Sequence, residues 1–248
     1  MHSWFKYCIG KDDFEKVDDL KSFMKVLKKQ SNVNEARIPY REVARLDDYD
    51  EDSEFIGKLA APRYFGAGFE ALSESFLETF GQQFNLTDVK SLDDVAFEQE
   101  DTGYDLTAKS IKSKIYKGIV TKKTNEGSGV YIQVKATFNP VKEFYTNDGS
   151  RIMNFYGNAQ GHARANGQAY QARFLLVTSG KDLHYKLDNN TFKEIEVINF
   201  NRIQKMTKDN TEFWNNFRQK LGLSKLQYNP RPDPEAESIQ KEIELYNA

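Results

Sequence analysis

The chain has 248 residues, 39% hydrophobic and 29% charged, enough for one large domain or for a core with appendages. With Lys+Arg 35 against Asp+Glu 37, the net charge of −2 excludes a global positive field, so attraction to a polyanion has to be local. The single cysteine, Cys8, excludes an intramolecular disulfide framework, and the scattered His2, His162 and His184 argue against structural zinc. The longest apolar run, Phe174 to Val177, is far short of a membrane span, and the chain start has no long apolar stretch. A soluble, cytoplasmic protein without a membrane partner is expected.

Phe14, Val17, Leu20, Phe23, Met24 and Leu27 recur at helical spacing. Asp12, Asp13 and Glu15 open that amphipathic helix and Lys28 and Lys29 close it, as the helix dipole favours. The acidic run Asp47, Asp48, Asp50, Glu51, Asp52 and Glu54 reads as a solvated linker, with a domain boundary near Pro62. Residues 1–62 are therefore expected to form a helical segment plus linker, residues 63–222 the main domain, and residues 223–248 a linker and helical tail around Pro230, Pro232 and Pro234.

From Gly66 the pattern is more regular. Phe69, Leu72, Phe76, Leu77 and Phe80 form an apolar helical stripe ending at Gly81, with Glu70, Glu74 and Glu78 along one flank. A polar loop leads to an expected strand at Val95–Glu98 and a second at Leu106–Ala108. Val130–Phe138 is the clearest strand, rich in β-branched and aromatic residues and introduced by Gly127-Ser128-Gly129. Phe155–Tyr170 reads as a helix and Phe174–Thr178 as a buried strand, which together imply a parallel crossover. Strands at Leu183–Leu187 and Glu194–Asn199 flank the turn Asp188-Asn189-Asn190, and Thr211–Leu221 is a last amphipathic helix stopped by Gly222. That order fits an α/β sheet sandwiched between helices.

Three motifs stand in sequence: Gly66-Ala67-Gly68-Phe69-Glu70, Asp101-Thr102-Gly103-Tyr104-Asp105-Leu106, and Ile132-Gln133-Val134-Lys135. Together they resemble the PD-(D/E)xK nuclease superfamily, in particular its Mrr-like branch, whose members are restriction endonucleases or nuclease domains joined to restriction-type helicases. The resemblance covers about residues 66–220 and leaves the first 60 unmatched. It implies a restriction-endonuclease-like core, a central mixed β-sheet flanked by helices, with an extra, mainly helical N-terminal segment. It also implies an Mg²⁺- or Mn²⁺-dependent DNA endonuclease of restriction or mobile-element type.

By that resemblance, Asp105 is the main carboxylate ligand of the metal, the main-chain carbonyl of Val134 a second, and Glu70 a third, with Glu74 as its fallback. Hard oxygens of this kind suit Mg²⁺ or Mn²⁺. Lys135, two residues beyond Gln133 and so on the same side of the strand, would orient or deprotonate the attacking water or neutralise charge developing on phosphorus. Gln133 stands where the superfamily usually has Asp or Glu, and the Mrr-like branch often carries glutamine there.

Lys109, Lys112, Lys114, Lys117, Lys122 and Lys123 occur without one acidic residue among them, after Asp105 and before the Gln133-x-Lys135 strand. They read as a basic surface beside the site that contacts DNA phosphates, with Tyr116 and Tyr131 as stacking residues, or as a solvated lysine-rich hairpin. Acidic residues four apart are commonplace on exposed helices, and Gln-x-Lys occurs by chance on many strands; their joint occurrence in this order carries the inference. Gln160, Gln168 and Gln171 are secondary candidates, and His162, without a spaced metal-binding partner, is expected on a solvated surface. Neither a hydrolase triad nor a nucleotide-binding glycine motif is evident. Besides DNA, a homodimer and a helicase or translocase partner or fused domain are open options. The competing hypothesis is a non-catalytic DNA-binding or assembly module that keeps the fold.

Overall fold

The computed structural model describes residues 11–14, 17–32, 61–92, 103–116, 122–145, 150–168, 171–184 and 195–223. The helices are α1 (Lys11–Phe14), α2 (Leu20–Asn32), α3 (Ala61–Phe80), α4 (Ser150–Ala165), α5 (Phe200–Thr207) and α6 (Thr211–Lys220). The strands are β1 (Leu86–Ser91), β2 (Leu106–Ser110), β3 (Lys114–Tyr116), β4 (Lys122–Thr124), β5 (Gly129–Lys135), β6 (Glu143–Tyr145), β7 (Arg173–Thr178), β8 (Asp182–His184) and β9 (Ile195–Ile198). Five of them form the main sheet in the order β1-β2-β5-β7-β9, antiparallel up to β5 and parallel beyond it. It is a mixed α/β sheet flanked by helices.

Alternation along the strands divides the core in two. Val130, Ile132 and Val134 of β5, with Leu106, Ala108, Leu175, Val177 and Ile198, bury one sheet face against α2, α3, α5 and α6. The opposite face carries Tyr131, Phe174, Leu176 and Ile195, covered by Ile152, Phe155, Tyr156, Ala159 and Ala163 of α4. With helices on both faces, the central strands read as continuous apolar runs, and β7 is buried at every residue.

The N-terminal helix is not an appendage. Phe23 packs on Trp214 (ring centroids 6.4 Å apart) and on Phe217 (5.4 Å), and Phe14, Val17, Leu20 and Leu27 belong to the same core as the sheet. Arg218, buried, donates to the Phe14 carbonyl. Pro62, near which the boundary is expected, lies in the first turn of α3. The single helix expected from Asp12 onward is divided, Asp12 and Asp13 lying in α1 and the long helix α2 starting only at Leu20. Asp19 caps it, its Oδ1 accepting from Lys21 N (2.6 Å) and Ser22 N (2.9 Å), which breaks the chain from α1.

Other differences have local causes. The stretch read as a polar loop contains β1, an edge strand whose register shifts between Thr87 and Lys90 and whose Asp88 has φ 55°, so its alternation is blurred. The expected strand at Val95–Glu98, the acidic run, the turn at Asp188–Asn190 and the tail after residue 223 lie outside the described residues. β8 and β9 do not pair with each other; β8 joins β6 in a small parallel sheet and β9 joins β7. β7 begins one residue earlier than expected because Arg173 is buried and satisfied. It donates to Phe84 O (2.9 Å), Asn85 O (3.0 Å), Ser110 Oγ (3.2 Å) and Glu196 Oε1 (3.0 Å), tying four segments together at one end of the sheet.

Candidate active site

The opposite end of the sheet carries the predicted motif residues. Leu106 pairs with Ile132 and Thr107 with Tyr131, so continuing the register places Asp105 across from Gln133. Asp105 N bonds Ile132 O at 2.9 Å, one residue out of that register, where the ladder ends. Beyond it β2 leaves β5, and the N–H and C=O of Val134, which point the same way as those of Ile132 because strand periodicity is two, face the gap. Asp105 fills the vacancy with its side chain: Oδ2 accepts the Val134 N–H at 2.5 Å. Gln133 Nε2 donates to the same oxygen and lies 3.4 Å from the Val134 carbonyl oxygen.

Gly103 makes this approach possible. Its φ is +72°, and a Cβ there would meet Asn158 Nδ2 at 3.1 Å and the Phe155 backbone of α4 at 3.4 Å. The chain thus turns tightly over α4 and delivers Tyr104 inward and Asp105 to the gap. Tyr104 is buried edge-on against Tyr131 (5.0 Å) and its hydroxyl lies 2.5 Å from His162 Nδ1. Burial, with Tyr131 second, pushes the Tyr104 phenol up to about 12, so it is neutral at physiological pH. His162 is therefore a half-buried partner of Tyr104 and not the solvated surface residue expected.

The electrostatics at Asp105 are those of a carboxylate crowded by another. Burial first, and the charge of Glu70 second, raise its pKa from 3.8 to about 7; the Val134 N–H, Lys135 and Gln133 pull the other way. Glu70 on α3, Asp105 in the residue before β2, and Gln133 and Lys135 on β5 therefore act on one point. Glu74, the fallback, is buried one turn further along α3 and is absent from the groups acting on Asp105. Lys135, half-buried, sits at the end of β5, its carbonyl held by Thr178 Oγ1 at 2.9 Å. Among the described residues no three His, Cys, Asp or Glu side chains cluster, so a cation here would rest on two carboxylates, backbone and amide oxygens, and water.

The lysines lie elsewhere. Lys109 is at the far end of β2, salt-bridged to Asp88 at 3.3 Å, and β3 and β4 form an antiparallel hairpin beyond it. Five strand residues separate Asp105 from Ser110, about 17 Å at roughly 3.3 Å each. The basic insertion is thus a hairpin at the opposite end of the strands from Asp105, and not beside it as adjacency in sequence suggested. Lys112 is exposed, Lys117 lies outside the described residues, and so do the side chains of Lys114, Tyr116, Lys122 and Lys123. Tyr131 is buried between Tyr104 and Phe174 and offers no face to a base. Gln168 accepts from Gly129 N (2.7 Å) and so holds the exit loop of α4 to β5, while Gln160 donates to the Tyr156 hydroxyl (2.6 Å) one turn back on α4 itself.

No family model and no curated protein matches the chain. Among solved structures it is similar, at 9% identity over 92% of this chain and 99% of that one, to the pre-specific restriction endonuclease BsaWI in complex with DNA; the TM-score of 0.27 is too low to bear on fold or chemistry. Among the described residues no helix is long and apolar enough to cross a membrane.

Proposed function

We propose that the chain is a divalent-cation-dependent deoxyribonuclease, an endonuclease of restriction or mobile-element type that hydrolyses DNA phosphodiester bonds. The observation carrying this reading is the gap where β2 leaves β5, with Asp105 under the charge of Glu70 and the Val134 carbonyl facing the same space. Burial, and Glu70 after it, raise the Asp105 carboxyl to about 7, and a cation in the gap would relieve both carboxylates. The donor set fits Mg²⁺ or Mn²⁺, with Asp105, Glu70 and the Val134 carbonyl as ligands and water completing the shell. Such an ion, when bound, supplies positive charge to the phosphoryl oxygens and acidifies water.

The chain's own groups have separable tasks. Asp105, anchored through Oδ2 by the Val134 N–H, would offer its second carboxylate oxygen to the ion. Gln133 bonds the Asp105 carboxylate and lies near the Val134 carbonyl, so it is a positioning residue that keeps two oxygens aligned. Lys135 brings an ammonium to the attacking water or to the oxygens gaining charge on phosphorus. The hairpin carrying Lys114, Lys122 and Lys123, with Lys109, Lys112 and Lys117, contacts phosphates several base pairs away. Double-strand cutting is easier with two such sites, which a homodimer would supply, and a helicase or translocase partner or fused domain would deliver the substrate.

One observation favours a second reading. Asp105 already satisfies a buried N–H and Gln133 is uncharged, as a non-catalytic DNA-binding or assembly module would also allow. The test incubates supercoiled and linear DNA with and without Mg²⁺ or Mn²⁺, beside Asp105→Ala and Lys135→Ala. Metal-dependent cutting lost in both variants is the expected result. DNA binding without cutting by the native chain establishes the second reading.

A further inference from the structure

Among the described residues the exposed large hydrophobic side chains are Phe138 (42% exposed) and Val141 (71%), and both lie in the loop that follows Lys135. We propose that Phe138, with Val141 three residues on, is a stacking surface for an unstacked nucleobase that flanks the phosphate at Asp105 and Lys135. The proposal rests on the nuclease reading for its substrate, and it adds a preference for distorted or single-stranded DNA.

The loop is built to hold the ring out. Thr137 N donates to Ser179 Oγ (2.7 Å), whose hydroxyl donates back to Thr137 O (3.0 Å). Asn139 N bonds Thr137 Oγ1 (3.2 Å) and Val141 N bonds Asn139 Oδ1 (3.1 Å), closing two consecutive side-chain turns. The Phe138 ring is backed by Phe65 of α3, centroids 4.0 Å apart, one and a half turns before Glu70. The Lys28 ammonium stands 5.5 Å from the ring centroid. An aromatic ring with an ammonium over it suits a base and its phosphate better than it suits a purely apolar partner. Chain length alone keeps Phe138 within about 11 Å of Lys135, Cα to Cα, which is a reach of a few nucleotides.

The test uses the full chain with Ca²⁺ in place of Mg²⁺ and a single-stranded oligonucleotide carrying one 5-iodouracil, alone and opposite a mismatch in a duplex. Irradiation followed by mass spectrometry is expected to place the cross-link on Phe138. By fluorescence anisotropy, Phe138→Ala should bind the single strand about tenfold more weakly, with Phe138→Tyr restoring affinity and matched duplex little affected. A cross-link elsewhere, or equal affinity of Phe138→Ala and the native chain, overturns the proposal. Cleavage by the native chain with Mn²⁺ is scored in parallel: cutting without a Phe138 cross-link defeats the stacking surface alone. A Phe138 cross-link without cutting defeats the nuclease reading alone.

Discussion

Replacing Asp105 by asparagine separates the charge of that carboxyl from its shape. Asparagine keeps an oxygen able to accept the Val134 N–H, now bonded at 2.5 Å, in nearly the same volume. What it removes is an ionisation that burial and Glu70 displace from 3.8 to about 7. Because the folded pKa is raised, the fold holds a proton that the unfolded chain has already lost. This contribution to stability is complete below about pH 4, falls at no more than about 1.4 kcal/mol per pH unit, and is gone above about pH 7. Asp105 retains some access to water, so we take the total at about 1–3 kcal/mol, or roughly 3–10 °C in melting temperature for a chain of this size. Thermal melts in chelator from pH 4 to 8.5 should show Asp105→Asn converging on the native chain near pH 4 and exceeding it at pH 8. Added Mn²⁺ at pH 8 should raise the native melting temperature and leave the variant unmoved. Parallel curves, or a variant less stable than the native chain at pH 8 without metal, would refute the electrostatic argument.

Gln133→Glu adds a third negative group beside Asp105; metal-free melts should drop by a few degrees while the Mn²⁺ concentration for half-maximal cutting falls, read by titrating cleavage rate. Phe23→Ala removes a ring packed on Trp214 and Phe217 and should cost about 3–5 kcal/mol in urea unfolding, as a single transition, because α2 is part of the main core. Neutralising Lys114, Lys122 and Lys123 together should make the salt dependence of binding shallower by about 0.9 per lost phosphate contact on long duplexes. On duplexes ending about five base pairs or less from the cut the same variant should behave as the native chain, since the hairpin lies roughly 17 Å from Asp105.

The clearest elements were legible because their signal is local. An apolar stripe at helical spacing marked α3, a run rich in β-branched and aromatic residues marked β5, and the apolar run Phe174–Val177 marked β7, both strands being buried on both faces. β1 was missed because an edge strand with a bulge keeps only Leu86 and Ser91 buried and so loses its alternation. Arg173 was missed as a strand residue because its burial depends on carbonyls of Phe84 and Asn85, nearly ninety positions away. Tyr104 and His162 gave no sign of each other for the same reason, although Tyr104 adjoins Asp105. Phe138 looked like the end of a strand, and only the departure of the chain after Lys135 exposes it.

What the sequence determined by itself is the long helices, the central strands and the identity of the groups able to do chemistry, since hydrophobic period and side-chain type are properties of short segments. Where those groups stand was a tertiary decision. The register of β2 on β5 sets Asp105 opposite Gln133, and the parting of those strands opens the Val134 carbonyl. The same antiparallel pairing sends the lysine hairpin to the far end of the sheet, because residues close in sequence on either side of a strand are separated by that strand's whole length.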